Sequence, residues 1–365
     1  MERDNPRKRI YIKAYIDRNL GDDLMICEFV EALGSDYELY LSCPADFQDY
    51  YHALLGDKVK LTELPLRKIH KFGLGFFALI VSLGGSTLIG RRMKGCYYRF
   101  INWLYLGVLS IFGTKFAIIG CNVGPFSSAL TRAFVKLELR SAHIITCRDK
   151  PSYSFIKSAI AAKTHLWSFD DILADTASRH RITSNSVSDK SPLGVVVHCQ
   201  MSEQATQKLM QTILQIHTDT GRGSVLFAFD SGIAQSDVVI ANNIYKELRD
   251  AMPISVCIYE ERWNVLREMA QCWKVIVVRF HGLVLALSLG LPFICIAYNN
   301  KHIDYLHSIG YNGKLFTLTE FVQTDVAEIV AAIETAKAEL YVASHNSDQH
   351  FAKVHDFLEG RLPNV

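Results

Sequence analysis

Arg279, His281 and Lys301 fall within one stretch, Lys274 to Lys301, whose layout suits a small charged ligand. Two apolar runs, Val275–Val278 and Phe293–Ala297, read as strands, with an apolar helix and a Gly290-Leu291-Pro292 exit between them. The three side chains therefore stand at the carboxyl ends of apolar runs, the edge at which open α/β sheets bind ligands. If strand geometry persists one step past Val278, Arg279 and His281 share a face, because residues two apart do. Arginine grips phosphate or carboxylate with a fork of N–H donors, and lysine adds a mobile point charge. Gly282 opens the helix, whose first N–H groups can hold a phosphate. Imidazole titrates near neutral pH and can pass a proton. The pattern implies an anionic ligand beside a proton donor. A histidine alone in an apolar run is more often a satisfied core residue; an arginine two places earlier, ahead of a helix, is what points to a site.

Four earlier segments repeat the form of an apolar run that ends in polar residues. In Ile10–Met25 a strand gives way to a loop with Asn19 and Gly21, and Asp22 and Asp23 open a helix. Carboxylates in a first helical turn cap N–H groups and suit the macrodipole, and the same place can hold a base at the sheet edge. Leu79–Gly90 runs into Gly84-Gly85-Ser86-Thr87, where close approach of a ligand and a tight turn are equally good explanations. Ile118–Ser128 ends in a Gly124-Pro125 turn, and His143–Tyr153 delivers Arg148 and Asp149 to a strand end before Pro151 and Ser152 begin a helix. An Arg-Asp pair there reads first as a salt bridge or a helix cap.

The elements that position these residues alternate. Strands are expected at Arg9–Ile16, Glu38–Ser42, Phe76–Leu83, Lys115–Gly120 and His143–Cys147. The alternation restarts at Leu193–His198, Val225–Phe229, Ile254–Tyr259, Lys274–Val278 and Phe293–Ala297, with helices between. Short apolar runs alternating with helices indicate parallel sheets covered on both faces. The polar stretch Asp175–Pro192 has no hydrophobic period and reads as a linker. The expected organisation is an α/β chain of two doubly wound, Rossmann-like domains facing a cleft. Residues 1–178 form the first, 179–192 a linker and 193–365 the second, with the last helices packing back on the first domain.

The 365 residues allow two cores. Charged residues make up 21% and apolar ones 49%, which excludes a disordered chain. A net charge of +2 excludes a chain basic throughout, so no nucleic-acid partner is expected and any basic function is local. Nine cysteines stand singly, without ligand spacing, so no metal site is expected, and Cys257 and Cys295 read as buried thiols. Leu74–Gly90 and Phe100–Gly113 are too short or too glycine-rich to span a bilayer and read as buried strand and helix. Arg91, Arg92, Lys94 and Arg99 between them would suit a peripheral membrane contact. The expected location is cytoplasmic, extending to the inner face of the membrane.

In order, Asn19-Leu20-Gly21-Asp22, Gly84-Gly85-Ser86, Gly124-Pro125, Arg148-Asp149, Arg279-Phe280-His281-Gly282, Gly290-Leu291-Pro292 and Tyr298–Lys301 resemble the polysaccharide pyruvyltransferase family. The resemblance spans most of the chain. It implies a glycosyltransferase-B-like fold. It also implies transfer of a pyruvyl group from phosphoenolpyruvate to a sugar of a cell-surface polysaccharide (capsule or exopolysaccharide) or its lipid-linked oligosaccharide precursor. The product would be a ketal, and no cofactor is needed beyond the donor substrate. Arg148, Arg279, Gly282 and Lys301 would bind the donor, with His281 as general acid. Asp22 would serve the acceptor as base, beside Asn19, Asp23, Gly85 and Ser86. Three departures stand out: the first loop, Tyr15-Ile16-Asp17-Arg18-Asn19, lacks the glycines common at its start, Gly-Gly-Ser replaces Gly-Gly-Gly, and Phe280 stands before His281 where an aliphatic residue is commoner. The competing readings are a nucleotide-sugar glycosyltransferase of the same fold and a non-catalytic subunit of a glycan assembly complex. The absence of Asp and Glu from Arg279 to Asn300 weighs against a nucleotide, whose ribose needs a carboxylate.

Overall fold

The computed structural model describes residues 7–84, 88–90, 93–126, 128–160, 164–183, 188, 190–232, 236–338 and 346–362. The strands in chain order are β1 Arg9–Lys13, β2 Glu38–Ser42, β3 Val59–Thr62, β4 Leu79–Leu83, β5 Leu88–Gly90, β6 Lys115–Cys121, β7 Val123–Phe126, β8 Ile144–Cys147 and β9 His165–Ser168. They continue with β10 Leu193–Val196, β11 Ser224–Ala228, β12 Ile254–Ile258, β13 Lys274–Val277, β14 Phe293–Ala297 and β15 Leu315–Thr317. The chain divides into two compact units. The first comprises 1–16, 22–172 and 346–365; the second comprises 17–21 and 173–345.

The first unit holds a seven-stranded sheet in the order β3-β2-β1-β4-β6-β8-β9, and its paired strands are parallel. Its central strands are apolar on both faces, as helices on both sides require: Ile10, Ile12, Leu79, Ile80, Val81 and Ile119 are buried. A small parallel pair, β5-β7, lies outside it. The helix Gln349–Leu358 packs on this unit: Phe351 meets Phe29 edge-on at 5.6 Å, and His350 lies 2.6 Å from Thr146 Oγ1.

The second unit holds a six-stranded parallel sheet in the order β12-β11-β10-β13-β14-β15. Successive strands run outward from β10 in one direction and then resume at β13 in the other, so the order reverses between β10 and β13. Its core includes Leu193, Val195, Leu226, Ile276, Ile294 and Ile296. Lys274 begins β13 buried, and its ammonium donates to the carbonyls of Ile333 at 2.9 Å and Ala336 at 3.1 Å. It thereby caps the carboxyl end of the helix Val326–Thr335, where backbone acceptors are unsatisfied and the dipole favours a cation.

The apolar stretch at 74–90 delivers the buried strand β4, and the one at 100–113 is buried on one face only, through Leu106 and Leu109. The latter belongs to the surface helix Met93–Ile111, whose Tyr97, Leu104, Val108 and Ile111 are exposed. Among the described residues no helix is long and apolar enough to cross a membrane. The described cysteines carry free thiols. Cys295 is fully buried and Cys257 partly so, and burial pushes the Cys257 thiol up to about 12.

Candidate functional site

The second sheet reverses its order between β10 and β13, and ligands in open α/β sheets bind outside the carboxyl ends at such a point. His198 follows β10 and Arg279 follows β13, each buried two places beyond its strand. Tyr298, Asn299 and Lys301 follow β14. The sequence pattern located Arg279, His281 and Lys301 but missed His198, read only as the last residue of an apolar strand. The signal available was its place, two beyond the first strand of the second half, which matches the place of Arg279 two beyond β13.

Arg279 is paired. Its Nη2 donates to Asp230 Oδ2 at 3.3 Å and its Nη1 to Asp237 Oδ2. Asp237 is fully buried and opens the helix Asp237–Leu248; its Oδ1 also accepts the Cys199 N–H at 2.9 Å. The expectation of a free arginine fork is therefore corrected: two carboxylates balance the guanidinium charge, leaving it a polar anchor rather than a surplus cation. Burial pushes the Asp237 carboxyl up to about 6 from 3.8, although Arg279 pulls the other way. The folded chain thus holds this proton more tightly than the unfolded one, and stability is lost as pH rises through that window. Asp237→Asn should gain stability relative to the parent as pH climbs from about 4 to about 6, read as urea midpoints at a series of pH values. A difference between the two proteins that stays flat with pH would show that Asp237 titrates normally.

His198 lies at 4.0 Å between ring centroids on Tyr298, nearly stacked. Burial, and then the cations Arg279 and Lys301 with His302, push its imidazole down to about 2, so it is neutral. The Gln200 N–H donates to its Nδ1 at 3.0 Å, which places the ring proton on Nε2. A neutral histidine can donate one hydrogen bond to an anion without adding charge. His302, fully buried, has Nε2 at 3.1 Å from the Val278 carbonyl oxygen and Nδ1 at 3.2 Å from Asn299 Oδ1. It ties the strand end before Arg279 to the turn before Lys301. The ammonium of Lys301 lies over Phe280 at 5.2 Å and Tyr298 at 5.5 Å, two aromatic faces that favour a cation.

His281 is held from a distant part of the sequence. The loop Asp17–Gly21 belongs to the second unit: the Leu20 N–H donates to the Phe229 carbonyl at 2.9 Å, and Asn19 bridges to Asp230. Arg18 adopts φ +48, a left-handed conformation that glycine would take without strain. Gly21 meets His281 so closely that a Cβ would stand 1.9 Å from Nδ1 and 2.0 Å from Cγ. Glycine here is a fit requirement, since no side chain could share that space with the ring. Gly282 is similarly confined: its Cβ would lie 2.7 Å from Val196, so the helix Phe280–Ser288 starts directly against the end of β10. Arg279, the N-cap of that helix, has no side-chain acceptor to offer its first turn, whereas Asn299 caps the helix Asn300–Ser308 at the Lys301 N–H. Asn19 is buried and its Oδ1 accepts the Gly21 N–H at 3.2 Å, so it shapes the loop instead of reaching an acceptor as expected.

In the first unit, the corresponding reversal lies between β1 and β4. Asp22, half-buried, and Gly84 come together there: a Cβ on Gly84, whose φ is +105, would lie 3.9 Å from Asp22 Oδ1. Gly85 and Ser86 lie outside the described residues. Asp23 is fully buried and accepts from the hydroxyls of Tyr50, at 2.9 Å, and Tyr51, which corrects its expected contact with an acceptor: two tyrosines occupy it inside the core. Arg148 is buried and donates to Asp171 Oδ2 at 2.8 Å and Asn122 Oδ1 at 3.3 Å. Asp149 caps the helix Lys150–Lys157 by accepting the Ser152 N–H at 2.7 Å. The strand end thus carries the cap that the local sequence suggested, whereas the salt bridge of Arg148 is made to Asp171 and not to Asp149, within its own unit.

A family model described as polysaccharide pyruvyl transferase matches residues 19–300. No curated protein matches the sequence. Among solved structures, the UDP-GlcNAc 2-epimerase of Methanocaldococcus jannaschii is similar, with a TM-score of 0.65 at 11% identity over 96% of this chain and 99% of that one. HepE of Anabaena, solved in complex with UDP-glucose, gives 0.61 at 12% over 97% and 100%. A UDP-glucosyltransferase from Polygonum tinctorium gives 0.59 at 9% over 98% and 100%. At these identities the likeness is one of fold: two doubly wound parallel sheets of the glycosyltransferase-B-like class.

Proposed function

Because the chain belongs to the polysaccharide pyruvyl transferase family, we propose that it moves a pyruvyl group from phosphoenolpyruvate to a sugar of a surface polysaccharide or its lipid-linked precursor, forming a ketal. The observation that carries this reading is the seating of His281. A protonatable ring is pressed against Gly21 at the start of the helix Phe280–Ser288, on the edge where the second sheet reverses. Phosphoenolpyruvate offers a carboxylate, a phosphate and an enol carbon that accepts a nucleophile only once its CH₂ is protonated. The helix N-terminus and the Lys301 ammonium supply positive potential for the anionic groups. Neutral His198 adds one donor. Arg279, balanced by Asp230 and Asp237, contributes its remaining N–H groups and holds the geometry of the strand end.

His281 as imidazolium gives its proton to the CH₂, which becomes the methyl of the pyruvyl group. The cation at the neighbouring carbon is captured by one sugar hydroxyl, whose proton passes to a base; Asp22 is the carboxylate assigned to it. A second hydroxyl then displaces phosphate, and its proton returns His281 to the charged form. One hydroxyl proton thus ends on the methyl group and the other in solution as hydrogen phosphate.

Lys301→Ala should weaken phosphoenolpyruvate binding by about ten- to a hundredfold, the worth of a hydrogen bond to a charged group; unchanged affinity would remove Lys301 from the donor site. The reading as a whole is tested by incubating the protein with carbon-labelled phosphoenolpyruvate and surface glycan or lipid-linked oligosaccharide. Label in the glycan with stoichiometric phosphate release supports it. UDP-sugar-dependent transfer with no such label would favour the nucleotide-sugar reading, which the UDP complexes of the fold's relatives keep in view.

A further inference from the structure

In the first unit, the exposed helix Met93–Ile111 carries a stripe that nothing among the described residues of its own unit covers. Tyr97, Leu104, Val108 and Ile111 are exposed by 63%, 44%, 47% and 80%, and with Ile101 they recur at spacings of four and three, one face of a helix. Both flanks of that face are defined. On one side the segment Leu66–Gly75 runs along the helix. The Arg67 guanidinium lies over Tyr98 at 4.5 Å, the His70 N–H donates to the Tyr105 hydroxyl at 3.0 Å, and Gly75 abuts the Phe112 carbonyl. On the other side lies the helix Ala129–Ser141, with Phe134 against Phe100 at 5.8 Å and Glu138 paired to Arg99. Arg67, Lys68, His70 and Lys71 on the first flank, and Arg132 on the second, are exposed.

The charge around this face is one-sided. Between Glu63 and Glu138 the sequence has no Asp or Glu at all, while ten Lys and Arg fall in that interval, in a chain whose net charge is +2. We infer that this face docks on an anionic lipid bilayer, with the Tyr97–Ile111 stripe entering the headgroup boundary and the flanking lysines and arginines meeting lipid phosphates. An apolar helix face rimmed by basic residues and aromatic rings is suited to the plane of such an interface. The rim also decides between occupants. In a pair of chains meeting through this face, rim would approach rim with like charge, the flanking Glu138 being buried and already paired with Arg99, which disfavours a second copy. An anionic surface complements it. This inference stands apart from the proposed reaction, because it uses none of the residues assigned to transfer.

The test is co-sedimentation of the full chain with vesicles of phosphatidylcholine alone and of phosphatidylcholine mixed with phosphatidylglycerol. The parent, Leu104→Glu with Val108→Glu, and Lys68→Glu with Lys71→Glu would be compared, with sedimentation velocity for oligomeric state. The four positions are exposed, so both variants should fold, which circular dichroism and melting temperature check. Expected is partition onto the mixed vesicles, weakened by added salt and reduced about tenfold or more by either variant. No partition, partition equal on both vesicle types, or partition untouched by both variants would overturn the inference. So would a dimer of the parent that Leu104→Glu with Val108→Glu converts to a monomer, since a second chain would then be the occupant.

Discussion

Replacing His281 by alanine should lower the rate of pyruvyl transfer by about a hundred- to ten-thousandfold, the range for loss of a positioned general acid. Donor affinity should change much less, because the helix N-terminus and Lys301 remain. The expected signature is thus a fall in kcat at nearly constant dissociation constant for phosphoenolpyruvate, measured by phosphate release in the presence of acceptor and by calorimetry without it. Glutamine at 281 should fail in the same way, since it keeps a hydrogen bond but delivers no proton. Activity within about tenfold of the parent in either variant would remove His281 from the proton-transfer step.

The second large effect is expected at a residue with no chemistry of its own. Gly21→Ala places a methyl group where the His281 ring now lies, at 1.9 Å from Nδ1, so the ring or the loop must move. A displacement of about an ångström in a reacting group can cost about a hundredfold in rate, and that is the loss expected here. The loop Asp17–Gly21 is anchored to the second unit at Phe229 and Asp230, so the ring is the easier part to shift. Gly21→Ala should therefore lower kcat while phosphoenolpyruvate binding and the melting temperature change little. Combined with His281→Ala it should add almost nothing further, because both changes act on one group. Multiplied losses in the double variant would show that Gly21 acts elsewhere.

Much of the fold was legible because parallel sheets write themselves as short apolar runs. Glu38–Ser42 and Phe293–Ala297 were read to the residue, and each of the other expected strands overlaps an observed one. Five strands were missed, Leu88–Gly90 and Val123–Phe126 of the small separate pair among them, and the other three have a common cause. Val59–Thr62, His165–Ser168 and Leu315–Thr317 are sheet edges, covered less completely, and their sequences mix apolar with polar residues. The site was legible as residue types at strand ends and illegible as partners. The pairing of Arg279 with Asp230 and Asp237, forty-odd residues earlier in sequence, follows from the placing of β11 and β13 on either side of β10 and from no local pattern. The same holds for Gly21 beneath His281, and for Asp23, where a helix-capping carboxylate proved to be a core acceptor for two tyrosines. His198 was hidden because an apolar run ending in histidine reads as core.

The central claim is that the edge around His198, Arg279, His281 and Lys301 takes phosphoenolpyruvate. It is tested most directly by calorimetric titration of the parent and of Lys301→Ala with phosphoenolpyruvate, with UDP and GDP in parallel. Saturable binding of phosphoenolpyruvate by the parent, weakened in Lys301→Ala and not displaced by either nucleotide, is the expected result. Tight binding of UDP or GDP with none of phosphoenolpyruvate would contradict it and make the same edge a diphosphate site.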